Sequence, residues 1–203
     1  MMHPDTELRF VNKALGYGVF ATKLIPKGTI TWILDELDQK LEESYILSLN
    51  PTIQEKLLKY CYRDNQGRYV LCWDIARFVN HSFNASCIST AYEFELAARD
   101  IYPGEELTDD YGYLNLDEPF YCFPEEGSDR TVVMPDDILH FYPQWDKKAA
   151  EAMKFFHQVA QPLKSLLEPR FTDKVNAVAA GREPMDSILN CYYDRSQKTT
   201  AVT

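Results

Sequence analysis

Apolar residues in this 203-residue chain arrive in short pieces, and nearly every piece is closed by a turn former. Leu8-Arg9-Phe10-Val11 runs into Gly16-Tyr17-Gly18, Val19-Phe20-Ala21-Thr22 into Pro26-Lys27-Gly28, and Thr29 to Leu34 into an acidic stretch. Pro26 presets a turn and Gly28 tolerates the positive φ that follows, while the β-branched and aromatic flanks suit strands. Asn65-Gln66-Gly67 is a further turn signal ahead of an alternating run from Arg68 to Ile75. Tyr92 to Ala98 alternates with period two, and Pro103-Gly104 makes a tight turn into Glu106 to Tyr111. Such punctuation builds small sheets in a β-rich single domain rather than a βαβ array, and no apolar run is long enough to span a membrane.

Two regions break this rhythm. Between Asp35 and Tyr62, Leu37, Leu41 and Tyr45, then Ile53, Leu57, Leu58 and Cys61, recur at helical spacing, with Asn50 or Thr52 placed to cap the second run. They predict a helical insert of two short helices at about 36–62. Between Asp146 and Leu167 an apolar stripe of Ala149, Met153, Phe156, Ala160, Leu163 and Leu167 predicts a core-facing or partner-facing helix, kinked or divided at Pro162. The polar end, Ser196 to Thr203, reads as frayed. The fold class expected is α+β, one core with an appended helical extension, which 45% hydrophobic and 13% aromatic residues can fill.

The net charge of −10, from 31 acidic against 21 basic residues, argues against nucleic-acid binding and suits either solubility or a basic partner. Met1 to Glu7 has neither the basic start nor the apolar core of a signal peptide, so the expected location is cytoplasmic, or nuclear in a eukaryote, with no membrane association. Five scattered cysteines (61, 72, 87, 122 and 191) never form Cys-x-x-Cys, which favours reduced thiols and no metal site.

Three segments gather residues able to do chemistry. Gly16-Tyr17-Gly18 lies between strands rather than opening a helix, so it is no dinucleotide fingerprint; it allows close backbone approach by a ligand, or simply a hairpin turn. In Arg77-Phe78-Val79-Asn80-His81-Ser82, a carboxamide and an imidazole, each donor and acceptor, suit either recognition of an adenine edge and an amino-acid headgroup or a buried polar network. Gly104-Glu105-Glu106-Leu107-Thr108-Asp109-Asp110-Tyr111-Gly112 ends on a phenol that either orients a reacting group or packs a strand end, with Glu105 and Glu106 read as turn stabilisers.

In order and spacing these segments resemble the SET-domain protein lysine methyltransferases, of the short single-domain type without a zinc-binding cap. The resemblance runs from about Leu8 to Tyr113 and gives out after Asp117. It implies a SET domain over 6–117, with strands around an irregular crossing of the Asn80-His81 and Tyr111 segments, and a cap loop and helical extension over 118–203. It further implies methyl transfer from S-adenosylmethionine to a lysine ε-amine of a protein substrate, with cofactor and substrate entering from opposite faces. That chemistry is an in-line displacement that asks for alignment, exclusion of water and loss of one lysine proton.

On this resemblance Tyr111 is catalytic, and Gly16, Tyr17, Gly18, Asn80, His81 and Tyr111 hold the cofactor. Two departures stand out. Phe83-Asn84-Ala85-Ser86 replaces the family's Cys-x-Pro-Asn, which with the single Cys122 removes the usual cap ligands; Phe120, Tyr121 and Phe123 are either a substitute aromatic lid or a core anchor. As a lid, Phe120 and Tyr121 cover the cofactor and Phe123 lines the substrate channel. Asp109 stands where the family often has an aromatic channel residue, and faces either the lysine channel or solvent. Two rival functions are a silent SET-like interaction module and methylation of a small amine.

Overall fold

The computed structural model describes residues 1–196, so most of the end read as frayed lies outside the described residues. Gly16, at φ 82°, lets β1 (Thr6–Asn12) return as β2 (Gly16–Ala21), and Gly28, at φ 86°, turns the chain into β3 (Ile30–Ile33). β4 (Gln39–Leu41), the helices α1 (Glu43–Ser48) and α2 (Pro51–Leu58), then β5 (Cys61–Arg63) and β6 (Tyr69–Leu71) follow. β7 (Asn80–His81), β8 (Cys87–Ser89), β9 (Phe94–Ala97) and β10 (Glu106–Asp109) complete the strands that carry the motifs. A two-stranded hairpin, β11 (Phe120–Tyr121) and β12 (Val132–Val133), leads to α3 (Asp137–Met153) and α4 (Pro169–Ala179). The fold is α+β. The strands form four small sheets, ordered β1-β2-β10-β7, β3-β9-β8, β4-β6-β5 and β11-β12.

The insert forms with its second helix capped as expected: Asn50 Oδ1 accepts from Thr52 N at 3.0 Å, and Pro51 occupies the first turn, where its missing N–H costs nothing. Leu37 and Leu41 do not join a helix. Leu37 is an exposed turn residue and Leu41 lies in β4, because Asp38 fixes the turn by accepting from Asp35 N and Trp73 N. β9 departs from its period-two pattern as well. All four of its residues are buried, since it is the central strand of its sheet and both of its faces are covered.

The extension packs onto these sheets. One core joins Ile30, Ile33, Phe94 and Leu96 of the sheet to Trp145 and Met153 of α3, and to Phe156 and Val175 beyond it. Each such side chain contributes about 1.5–3 kcal/mol by leaving water. α3 starts nine residues before the predicted helix and contains Pro143, whose missing N–H leaves the carbonyl of exposed Leu139 to water. It ends at Met153, short of the expected Leu167, and Ala160 is exposed. The chain turns there because Gln161 is captured by β3: its amide donates to Gly28 O at 2.7 Å and accepts from Ile30 N at 2.9 Å.

Candidate active site

β7 and β10 pair in parallel, Thr108 opposite Asn80 and Asp109 opposite His81, and this crossing brings two distant motifs together. Tyr111 N donates to His81 Nδ1 at 3.2 Å, and the Tyr111 hydroxyl donates to the Val79 carbonyl at 2.7 Å. Asp110 caps the short turn that carries Tyr111 by accepting from Gly112 N at 3.0 Å. Burial, reinforced by the nearby Asp109 and Glu106, raises the Tyr111 pKa well above that of a free phenol. The phenol is therefore a neutral donor at physiological pH, suited to orienting a reacting group rather than to removing a proton.

The first motif meets the same crossing. A Cβ on Gly18 would lie 2.1 Å from Glu106 Oε1 and 3.0 Å from Asn80 Nδ2, so a side chain there would push Glu106 off Asn80. Asn80 Nδ2 donates to Tyr17 O at 3.1 Å and to Glu106 Oε1 at 2.6 Å. Asn80 thus braces the crossing, and Glu106 is its partner rather than a turn residue. Glu105 does hold the turn, accepting from Tyr102 N at 2.8 Å.

His81 accepts at Nδ1, so its proton sits on Nε2, and burial lowers its pKa and keeps the ring neutral. That Nε2 is buried with no hydrogen-bond partner. The ring is enclosed by Phe83, Tyr111 and Phe120, with centroids 4.3, 5.3 and 6.0 Å away. An unsatisfied buried donor inside an aromatic shell is the kind of exception that a bound acceptor resolves.

Phe120 reaches this shell because the hairpin is tied down over the second motif. Glu125 accepts from Ser82 Oγ and from Phe83 N at 2.7 Å, and Asn84 Nδ2 donates to Glu126 O at 2.7 Å. Arg130 pairs with Asp110 at 2.7 Å and with Asp137 at 2.5 Å while lying against the rings of Phe83 and Phe141. Phe83, the residue in place of the family's cysteine, thus supports a cation instead of ligating a metal. Tyr121 and Phe123 are 80% and 74% exposed and take no part in the shell. Phe120 is itself 43% exposed, so one edge of its ring meets His81 and Tyr111 while the rest faces solvent.

Tyr111 also lines a cavity of about 1450 Å³, shared with Phe120, Val79, Tyr62, Trp32, Glu95 and Asp109. The solvent-facing alternative for Asp109 does not hold: it is 4% exposed and accepts a hydrogen bond from the Tyr113 hydroxyl. Burial first, then the charge of Glu95, hold its carboxyl well above the usual carboxylate range. Glu95 was not singled out in the sequence, because alternation assigns it to the solvent face. Arg130 and Glu125 were missed too, being tied to the motifs only through long-range pairing.

A family model of the SET domain matches residues 16–112, from the first glycine of the β1–β2 turn to the residue after Tyr111. The chain carries a SET domain, the domain of a methyltransferase family. All three SET motifs converge on Tyr111, and the extension beyond Gly112 braces them. Among similar solved structures is that of a putative histone methyltransferase from Plasmodium falciparum. It is 18% identical with a TM-score of 0.39, the match covering 54% of this chain and 95% of that one. A comparison with curated proteins finds no match. Among the described residues, no helix is long and apolar enough to cross a membrane.

Proposed function

We propose that this SET protein transfers methyl groups from S-adenosylmethionine to the ε-amine of lysine in a protein substrate. The observation that carries the reading is the placement of Tyr111 against both the orphaned His81 Nε2 with its aromatic neighbours and the cavity that it shares with Glu95 and Asp109. The residues present fit the cofactor. His81 Nε2 offers a buried donor, and the main chain of Tyr17 lies beside Asn80. When bound, S-adenosylmethionine supplies a methyl on a sulfonium, already activated toward an amine.

The chain's own groups do the rest. Tyr111, fixed at both ends by Val79 and His81, orients the amine and the methyl. Phe83, buried against the His81 ring, keeps water from that side of the crossing. The excess of acidic residues suits a lysine in a basic segment, and five free thiols suit a cytoplasmic or nuclear setting. The test is incubation with labelled S-adenosylmethionine and candidate protein mixtures, followed by mass spectrometry. Methyl-lysine in a discrete protein is the expected result; labelled cofactor bound with no protein methylated counts against it and favours a silent module.

A further inference from the structure

Phe10, Tyr17, Phe78 and Tyr60 come from separate stretches of the chain and meet as one row of rings at the surface. Phe10 lies opposite Tyr17 across the β1–β2 pair, with ring centroids 5.7 Å apart. Tyr17 meets Phe78, at the end of the short turn Ile75–Phe78, at 6.2 Å, and Phe78 meets Tyr60, just beyond α2, at 5.4 Å. Phe10 is 59% and Tyr17 49% exposed, and Phe78 and Tyr60 are half-buried. Apolar side chains exposed singly are ordinary, but a contiguous row of four rings marks a surface that something covers.

A second observation is independent of the rings. The chain carries a net charge of −10, yet the row is lined by cations. Lys59 Nζ lies 5.5 Å from the Tyr60 centroid, and the Arg77 guanidinium carbon lies 5.4 Å from that of Phe78. Both side chains are exposed, and among the described residues neither has an ion-pair or hydrogen-bond partner. The acids on the neighbouring strands are already engaged, Glu7 by Arg9 and Glu106 by Asn80. Lys59, Tyr60 and Arg77 also line the cavity that Tyr111 borders, so the row is continuous with that cavity.

We propose that this row, with Lys59 and Arg77, is a docking surface for an acidic protein segment that carries both carboxylates and apolar side chains. Each cation stands beside a ring, so a carboxylate and an apolar neighbour are held together. The geometry disfavours other occupants. Neighbouring rings meet at 78°, 66° and 63°, which leaves no run of parallel faces on which successive bases could stack. A second copy joined through the same patch would set the unpaired cations of both chains against each other. Two cations give a membrane surface little to hold, at about 1 kcal/mol each.

The probe is a fluorescein-labelled peptide of aspartate alternating with leucine or phenylalanine, titrated into the full chain and read by anisotropy. Binding should be at least about tenfold tighter than for the same peptide with lysine in place of aspartate, or with serine in place of the apolar residues, and should weaken with added salt. Lys59→Glu combined with Arg77→Glu should reverse the preference between the aspartate and lysine peptides, with the fold checked by circular dichroism. Phe10→Ser should weaken the aspartate peptide by at least about threefold. Equal affinity for the aspartate and lysine peptides, or an unchanged preference in the folded double variant, overturns the proposal. So does tighter binding of oligouridylate or of phosphatidylserine-containing vesicles than of the aspartate peptide. Self-association of the chain that Phe10→Ser abolishes assigns the patch to a second copy and overturns it too.

Discussion

Replacing Arg130 by methionine keeps a stem to pack between Phe83 and Phe141 but removes the cation shared by Asp110 and Asp137. Both carboxylates are buried, and after the change each keeps one backbone donor, Gly112 N for Asp110 and Met134 N for Asp137, both at 3.0 Å. Two charge-assisted hydrogen bonds at about 1.5–3 kcal/mol each give roughly 3–6 kcal/mol. The known cost of stripping one partner from a buried pair, about 3–5 kcal/mol, falls in the same range. We therefore expect Arg130→Met to lower unfolding free energy by about 3–5 kcal/mol, read from urea denaturation by circular dichroism. Adding Asp110→Asn and Asp137→Asn should restore at least about half of it by removing the unpaired charges. A loss under about 1 kcal/mol, or no recovery with the amides, would refute the assignment of Arg130 as the clasp between the hairpin and the Tyr111 turn.

Gly18→Ala forces Glu106 aside and breaks its 2.6 Å bond with Asn80; the chain should fold, since a flexible carboxylate yields, while calorimetry shows S-adenosylmethionine affinity down by about tenfold. Asp109 is raised above the ordinary carboxylate range, so the native state holds a proton that the unfolded chain has lost, and stability falls as pH rises through the raised value. Asp109→Asn removes that contribution, so its unfolding free energy should gain on wild type as pH rises above the ordinary carboxylate range; a difference that stays constant with pH contradicts the burial argument. Methyl transfer should survive exhaustive chelation, because Phe83 and a single Cys122 leave the usual cap ligands missing; activity lost to chelator and restored by zinc would overturn this.

The parts legible in the sequence were those fixed by local chemistry. The turn glycines Gly28 and Gly67 at positive φ and the Asn50 cap follow from demands that reach only a few residues. The motif tyrosine and the Asn-His pair were readable because few side chains can supply their hydrogen bonds. What escaped depends on contacts made across the fold. Glu95 reads as a solvent-facing strand residue until β9 is known to lie between β3 and β8 with Asp109 beside it. Arg130 carries no local signal for pairing with an aspartate twenty residues earlier. The start of α3 escaped as well: it runs through Pro143, nine residues ahead of the expected start at Asp146, because the carbonyl that Pro143 strands belongs to an exposed residue.

The central claim is that Tyr111 orients methyl transfer at the meeting of shell and cavity, and Tyr111→Phe tests it most directly. The variant loses only the hydroxyl that donates to Val79. Single-turnover transfer to the substrate lysine should slow by at least about tenfold, equivalent to about 1.4 kcal/mol of transition-state stabilisation, with S-adenosylmethionine affinity nearly unchanged. Transfer at the wild-type rate by a variant that binds the cofactor normally would contradict it.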